Sequence, residues 1–146
     1  MSKIFVVEDE KTIRDELSIF LSRYGYEVEA PEDFENIIEN IKGSNCDLIL
    51  LDINLPVFDG YYICREVRKF SDVPIIVVTS RDSDIDELMS MNLGADDFVT
   101  KPYNTQILLA RIEAILKRVN KSLIAQDILE YNEMKVNLSN GTITYN

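Results

Sequence analysis

The chain contains the run Leu48-Ile49-Leu50-Leu51, which is followed directly by Asp52. Four consecutive apolar residues are too few for a helix, and a run without polar alternation is typical of a strand buried on both faces. Two further runs of the same kind, Ile4–Val7 and Ile75–Val78, are rich in β-branched residues. The sequence therefore predicts three central strands of a parallel sheet.

Amphipathic stretches with helix-start signals separate these runs. Thr12 stands three residues before an acid, Ser83 does the same, and Asn104 opens a periodic apolar run. Two weaker strands, Glu27–Ala30 and Asp97–Thr100, complete five strand-helix repeats that end near Arg118. This alternation predicts an α/β fold with a doubly wound, five-stranded parallel sheet.

The periodicity changes after Arg118. We interpret 1–119 as one domain and 120–126 as a polar linker, and we expect 127–146 to be the truncated start of a second domain. This short β tail is predicted to contain a hairpin turn at Asn140-Gly141 and three strands: Leu129–Tyr131, Lys135–Leu138 and Thr142–Tyr145. About 20 residues are too few for an independent β domain.

Composition excludes several classes of protein. The formal charge is -11, a poor match to nucleic acid, and the chain contains no histidine. Serine-histidine and cysteine-histidine catalysis are therefore excluded, as is a phosphohistidine on this chain. The N-terminus lacks signal-peptide regions, and no apolar run approaches the roughly 20 residues that span a bilayer. We expect a cytoplasmic protein that does not contact the membrane.

Polar side chains follow the buried strands at the points where these strands end. They are Glu8, Asp9, Asp52, Thr79, Ser80 and Lys101. The carboxyl ends of parallel strands form the crevice where ligands bind, so these groups are expected to converge there. Three neighbouring carboxylates repel one another, and a hard divalent cation with oxygen ligands relieves that repulsion.

We expect the cation to be Mg²⁺, bound by the three acids with the backbone carbonyl near Asn54. Lys101 and Thr79 are then placed to hold the oxygens of a phosphoryl group, and the Asp52 carboxylate is placed to attack phosphorus. Each residue taken singly has a plainer interpretation: the acids as solvated caps, Lys101-Pro102 as a loop, Thr79-Ser80 as a turn. Their joint occurrence at four successive strand ends favours a phosphoacceptor site.

These motifs resemble the receiver domain of bacterial response regulators over Lys3 to about Val119. The matching segments are Val7–Glu10, Leu51–Pro56 with Asp59-Gly60, Val78–Ser80 and Gly94–Pro102. The resemblance implies a flavodoxin-like strand order of 2-1-3-4-5, with Asp52 as phosphoacceptor, Glu8 and Asp9 as its Mg²⁺-binding companions, Thr79 as switch hydroxyl and Lys101 as phosphate-contacting lysine. It also implies a sensor histidine kinase as partner.

Gly94-Ala95-Asp96-Asp97 is similar to the OmpR/PhoB (winged-helix) subfamily, in which the receiver precedes a DNA-binding domain. The tail resembles the first strands of that domain, so contact with DNA is expected only through a part mostly missing here. A narrower resemblance, in Asp52–Arg65 and Met89–Met91, is to regulators that respond to bacitracin and other cell-envelope-active peptides.

The subfamily's usual switch tyrosine is replaced by Phe98, which has no hydroxyl to bond. The resemblance implies a phosphorylation-dependent homodimer through the fourth helix, fifth strand and fifth helix. Its expected residues are Leu88, Met91, Asp96, Asp97, Ile107, Ala110, Arg111 and Arg118. One of three expected ion pairs is missing, because Glu87 stands in place of a basic residue and Ile107 in place of an acidic one. Apolar contacts should therefore contribute more to the association of the two copies. Alternatively, Asp96, Asp97 and the two arginines form pairs only within one chain.

Two other functions would use the same aspartate. A haloacid-dehalogenase-like phosphatase would need a second aspartate two residues after the nucleophile, where this chain has Asn54. We therefore expect no enzymatic turnover of a free substrate. A stand-alone receiver, acting by protein-protein interaction without DNA output, is the alternative that the sequence leaves open.

Overall fold

The computed structural model describes residues 2–55, 59–80 and 83–133, with side chains described only as far as Val119. Its five strands all run parallel in the order β2-β1-β3-β4-β5. They are β1 (Lys3–Val7), β2 (Glu27–Glu29), β3 (Leu48–Leu51), β4 (Ile75–Thr79) and β5 (Asp97–Thr100). The predicted fold class and strand order are confirmed.

A helix follows every strand. The helices are α1 (Lys11–Arg23), α2 (Ile37–Ser44), α3 (Gly60–Arg68), α4 (Asp84–Asn92) and α5 (Thr105–Glu133). The Ser83 hydroxyl accepts the N–H of Asp86, and the Asn104 carboxamide oxygen accepts the N–H groups of Gln106 and Ile107, so both predicted caps are confirmed. Thr12 is not a cap, because α1 already begins at Lys11 after Glu10.

The central strands are buried on both faces, as their continuous apolar runs predicted. Phe5 and Val7 of β1 contribute to one apolar cluster with Ile49 and Leu51 of β3, to which α2 and α3 add residues such as Ile41 and Val67. Burying each such side chain contributes roughly 1.5–3 kcal/mol, which makes this part of the sheet a rigid support for the residues that follow it.

The structure corrects the sequence-based interpretation of the tail. α5 remains helical through Glu133, so the predicted end of the strand-helix repeats near Arg118 and the predicted strand Leu129–Tyr131 are wrong. No glycine or proline lies between Pro102 and Gly141 to end the helix, and a three-residue apolar run does not distinguish strand from helix. The later strands and the Asn140-Gly141 turn lie outside the described residues.

The chain divides into two compact units between Leu109 and Ala110, within α5. All residues of the acidic crevice precede this division. Among the residues whose structure is described, no helix is both long and apolar enough to cross a membrane.

Gly60, the first residue of α3, packs directly against the chain that follows β3. A Cβ at this position would overlap the Ile53 backbone and lie 2.8 Å from the Asp52 carbonyl oxygen. We expect Gly60→Ala to lower the free energy of unfolding in urea by about 1 to 3 kcal/mol, because the backbone cannot move aside cheaply.

Gly43 in α2 is the matched control, since its Cβ would meet nothing within 4 Å. Gly43→Ala should raise the free energy of unfolding by about 1 kcal/mol through helix propensity. Equal effects of the two substitutions would contradict the close approach at Gly60.

Candidate phosphoacceptor site

Three acids meet at the carboxyl edge of the sheet because two neighbouring strands end together. Val7 pairs with Leu51 at the ends of β1 and β3, so Glu8 and Asp9 emerge beside Asp52. Carboxylate oxygens of the three residues all lie within 4.8 Å of one another. Glu8 and Asp52 are buried, whereas Asp9 is exposed to solvent.

Lys101, directly after β5, brings a positive charge to this edge. Its ammonium Nζ lies 2.8 Å from Glu8 Oε1 and 3.0 Å from Asp52 Oδ2, so one cation bridges both buried carboxylates. The Lys101 backbone N–H donates to the carbonyl oxygen of Thr79 at 2.8 Å, which ties the lysine to the end of β4. The structure thus joins groups at the ends of four different strands.

The remaining hydrogen bonds orient the two buried carboxylates. Asp52 Oδ1 accepts the backbone N–H of Asn54 at 2.8 Å, and Glu8 Oε2 accepts the N–H of Glu10 at 3.1 Å. Each carboxylate therefore has one oxygen bonded to the ammonium and the other to a backbone N–H. The predicted ligand role of the Asn54 carbonyl stays a prediction.

Burial and charge act in opposite directions on these groups. Desolvation raises the pKa of Glu8, and the hydrogen bond from Lys101 offsets only part of this effect. Burial alone would lower the pKa of Lys101, but hydrogen bonds to Glu8 and Asp52 outweigh it and the pKa is raised. The raised pKa of Lys101 keeps its ammonium charged.

The donor set fits a hard divalent cation. Three convergent carboxylates offer only oxygen atoms, the ligands that Mg²⁺ prefers, and exposed Asp9 leaves the cluster open to water on one side. The described residues offer no nitrogen or sulfur ligand at this cluster. Glu8, Asp9 and Asp52 could hold such an ion.

The two predicted switch residues lie on adjacent strands. Thr79 is completely buried at the end of β4. Phe98 is partly buried on β5, opposite Val77, and packs against the apolar cluster beneath α3. Their switch roles stay predictions.

The predicted association face contains exposed apolar side chains. Leu88 is 60% exposed, Met91 42% and Ile107 55%. Ala110, Arg111 and Arg118 are exposed in the second unit. α4 buries only one residue, Ser90, and its first turn is held by the Tyr61 hydroxyl, which donates to Asp86 Oδ1 at 2.6 Å.

Asp96 has partners within the chain that the sequence analysis did not identify. Its Oδ2 accepts the backbone N–H of Ile75 at 2.8 Å and lies 3.2 Å from Arg68 Nη2. The same guanidinium donates to the carbonyl oxygens of Gly94, Ser71 and Val73. A pair between Asp96 and Arg118 of another copy would have to compete with these bonds.

Arg14 is a second residue that sequence reasoning missed. It is only 5% exposed, and its guanidinium donates to the main chain beneath the acids. The signal was its spacing: Arg14, Leu17 and Leu21 are the buried residues of α1, at i, i+3 and i+7. An arginine at a position of the helix that faces the core indicates a buried hydrogen-bond acceptor.

The strand order and the acidic crevice at its carboxyl edge define a flavodoxin-like α/β domain. Comparison with known proteins makes the class more specific. Residues 4–113 match the family model of the response regulator receiver domain. The chain belongs to this family.

Individual relatives agree with this assignment. The chain is 46% identical over 120 residues to the sensory transduction protein BceR of Halalkalibacterium halodurans, covering 82% of this chain and 52% of BceR. It is 38% identical over 142 residues to the response regulator protein GraR of Staphylococcus epidermidis, covering 97% and 63%. The chain thus spans between about half and two thirds of the length of these relatives.

Among solved structures, the N-terminal domain of NsrR, described as a lantibiotic response regulator and nisin resistance regulator, superposes with a TM-score of 0.74. Its sequence is 40% identical, and the match covers 80% of this chain and 98% of that one. The resemblance predicted from the sequence, including its subfamily, is confirmed.

Removing the bridging ammonium should destabilise the fold. Lys101→Met leaves the buried carboxylates of Glu8 and Asp52 without their cation, and we expect a loss of about 3 kcal/mol in urea unfolding with a chelator present. Lys69→Met is the control, because Lys69 is 66% exposed in its pair with Glu66 and should change stability by at most about 0.5 kcal/mol. Equal losses of unfolding free energy in the two variants would mean that the Lys101 bridge stabilises the fold no more than a surface ion pair does.

Proposed function

We propose that this receiver domain accepts a phosphoryl group on Asp52 from the phosphohistidine of a sensor histidine kinase. The observation that carries the proposal is the lysine bridge: one ammonium contacts both buried carboxylates in a cluster whose third acid faces solvent. The chain has no histidine, so the phosphorylated imidazole belongs to the partner. Turnover of a free substrate is not part of this proposal.

In the transfer, the Asp52 carboxylate attacks phosphorus, the bond from phosphorus to the donor nitrogen breaks, and an acyl phosphate forms. The imidazole leaves with the electron pair of that bond and takes a proton from solvent. Lys101 is placed to contact a phosphoryl oxygen, because its ammonium already lies 3.0 Å from Asp52 Oδ2. A bound Mg²⁺ would neutralise charge on the transferring oxygens.

A cavity beside Lys101 offers the kinase a docking site. The cavity, of about 520 Å³, is lined by Lys101, by Ile13, Glu16 and Leu17 of α1, and by Pro102 and Tyr103. Its largely apolar lining next to the reactive edge suits a helix that carries a phosphohistidine.

The phosphoryl group then biases an equilibrium between two conformations. The Thr79 hydroxyl moves toward the phosphoryl oxygens, and the Phe98 ring moves into the space that it leaves. α4 shifts with them and the association face changes shape. A homodimer forms through Leu88, Met91, Ile107 and Ala110, with Asp97 and Arg111 as its principal ion pair.

In the whole protein, dimerisation would place two DNA-binding domains on repeated half-sites and so control transcription. We propose that residues 127–146 begin that effector domain. NsrR is described as a nisin resistance regulator, and we propose that this protein likewise takes part in a response to antimicrobial peptides. A cytoplasmic location stays a prediction from the sequence.

Asp52→Asn should abolish labelling by a small radioactive acyl phosphate in Mg²⁺, because the amide cannot attack phosphorus. Asp59→Asn is the matched control: Asp59 caps α3 with its side chain, and asparagine is an equally good cap. It should label like the wild type. Undiminished labelling of Asp52→Asn would refute Asp52 as the acceptor.

A beryllofluoride phosphate mimic should raise the dimer fraction in sedimentation. Ile107→Asp should weaken the mimic-bound dimer by about tenfold or more, since it buries a charge in an apolar contact. Ile19→Asp on α1 is the control, because Ile19 is 56% exposed, almost the same as Ile107 at 55%, but lies outside the association face. A wild type that stays monomeric with saturating mimic would contradict the dimer.

A further inference from the structure

Arg14 is a buried charge whose partners are main-chain atoms. It lies in the first turn of α1 and is 5% exposed. Its Nη1 donates to the carbonyl oxygen of Glu8 at 3.0 Å and is 3.4 Å from that of Asp9. Burying a guanidinium is costly unless it is hydrogen-bonded, and here the acceptors belong to two consecutive acids of the proposed cation site.

We propose that Arg14 is a positioning residue for the cation site, an inference that rests on the proposed function. By holding two successive carbonyl groups, the guanidinium fixes the turn between β1 and α1. That turn carries two of the three acids whose carboxylate oxygens converge within 4.8 Å. A ligand set held in place before binding does not have to be ordered when the ion arrives.

Both carbonyl contacts come from one nitrogen, Nη1, which the rigid planar guanidinium holds at the end of a side chain longer than that of lysine. A lysine ammonium is a compact point charge on a shorter, flexible stem. A lysine at position 14 would keep the charge without holding both carbonyl groups in the same way. Charge and geometry can therefore be tested separately.

Arg14 and Lys101 differ in what they do to an incoming cation. Lys101 occupies oxygens of Glu8 and Asp52, so it competes with a cation for the same atoms. Among the residues that the structure describes, the Arg14 guanidinium bonds only backbone carbonyls and leaves those carboxylate oxygens available.

The test compares Arg14→Met and Arg14→Lys with the wild type, using Mn²⁺ binding followed by electron paramagnetic resonance and Mg²⁺ binding by calorimetry. We expect Arg14→Met to weaken Mn²⁺ binding by about tenfold or more, as removal of an outer-sphere partner typically does. Arg14→Lys should also bind more weakly. Phosphoryl labelling should need more Mg²⁺ in both variants but approach the wild-type rate at saturation.

Lys11→Met is the matched control. Lys11 lies in the same helical turn and carries the same charge, but its side chain is 73% exposed and pairs with Asp15. Its removal should leave Mn²⁺ affinity within about twofold of the wild type, since an exposed charge is screened by solvent.

The outcomes separate the two proposals. A wild type that binds no Mn²⁺ overturns the cation site and with it the proposed function. Wild-type binding that is unchanged in Arg14→Met overturns the positioning role alone. If Arg14→Met fails to fold, Arg14→Lys decides: wild-type affinity would overturn the role proposed for the guanidinium, and weakened affinity would support it.

Discussion

The constraint on which this molecule depends is the repulsion among three carboxylates at one edge of a sheet. Two of them, Glu8 and Asp52, are buried, where ionised groups are costly unless they are paired. The Lys101 ammonium meets both at hydrogen-bonding distance, and backbone N–H groups satisfy the remaining oxygens. A rigid support keeps such a cluster together, and the buried residues of strands β1 and β3 supply it.

The sequence predicts this edge well because burial and strand position are local signals. Leu48–Leu51 is predicted with the bounds that the structure has, since a continuous apolar run of four residues has few other stable uses. Once β1 and β3 are neighbours in a parallel sheet, their next residues must lie side by side. The convergence of Glu8, Asp9 and Asp52 follows from topology rather than from any detail of packing.

The sequence predicts less where a side chain has a choice of partner. The spacing of Asp96 does not reveal that Arg68, 28 positions earlier, folds back onto it and onto Gly94. The role of Arg14 is hard to predict for a similar reason. Arginine is usually exposed, and its acceptors here are backbone carbonyl groups, which residue types do not identify. The end of α5 was misplaced because polar residues at 120–122 do not end a helix without glycine or proline.

The difference between apolar burial and polar contacts also explains why α4 could shift more easily than the central strands. A helix packed into a core through several apolar side chains shifts only at a cost of several kcal/mol, whereas α4 buries a single serine. Its first turn is held instead by polar contacts, the Tyr61–Asp86 hydrogen bond and the Ser83 cap. Polar contacts of this kind contribute about 0.5–1.5 kcal/mol each in water, so differential binding of a few kcal/mol is enough to change the populations. In the proposed switch, the rigid strands would fix the place where charge is added, and the loosely held α4 would respond to it.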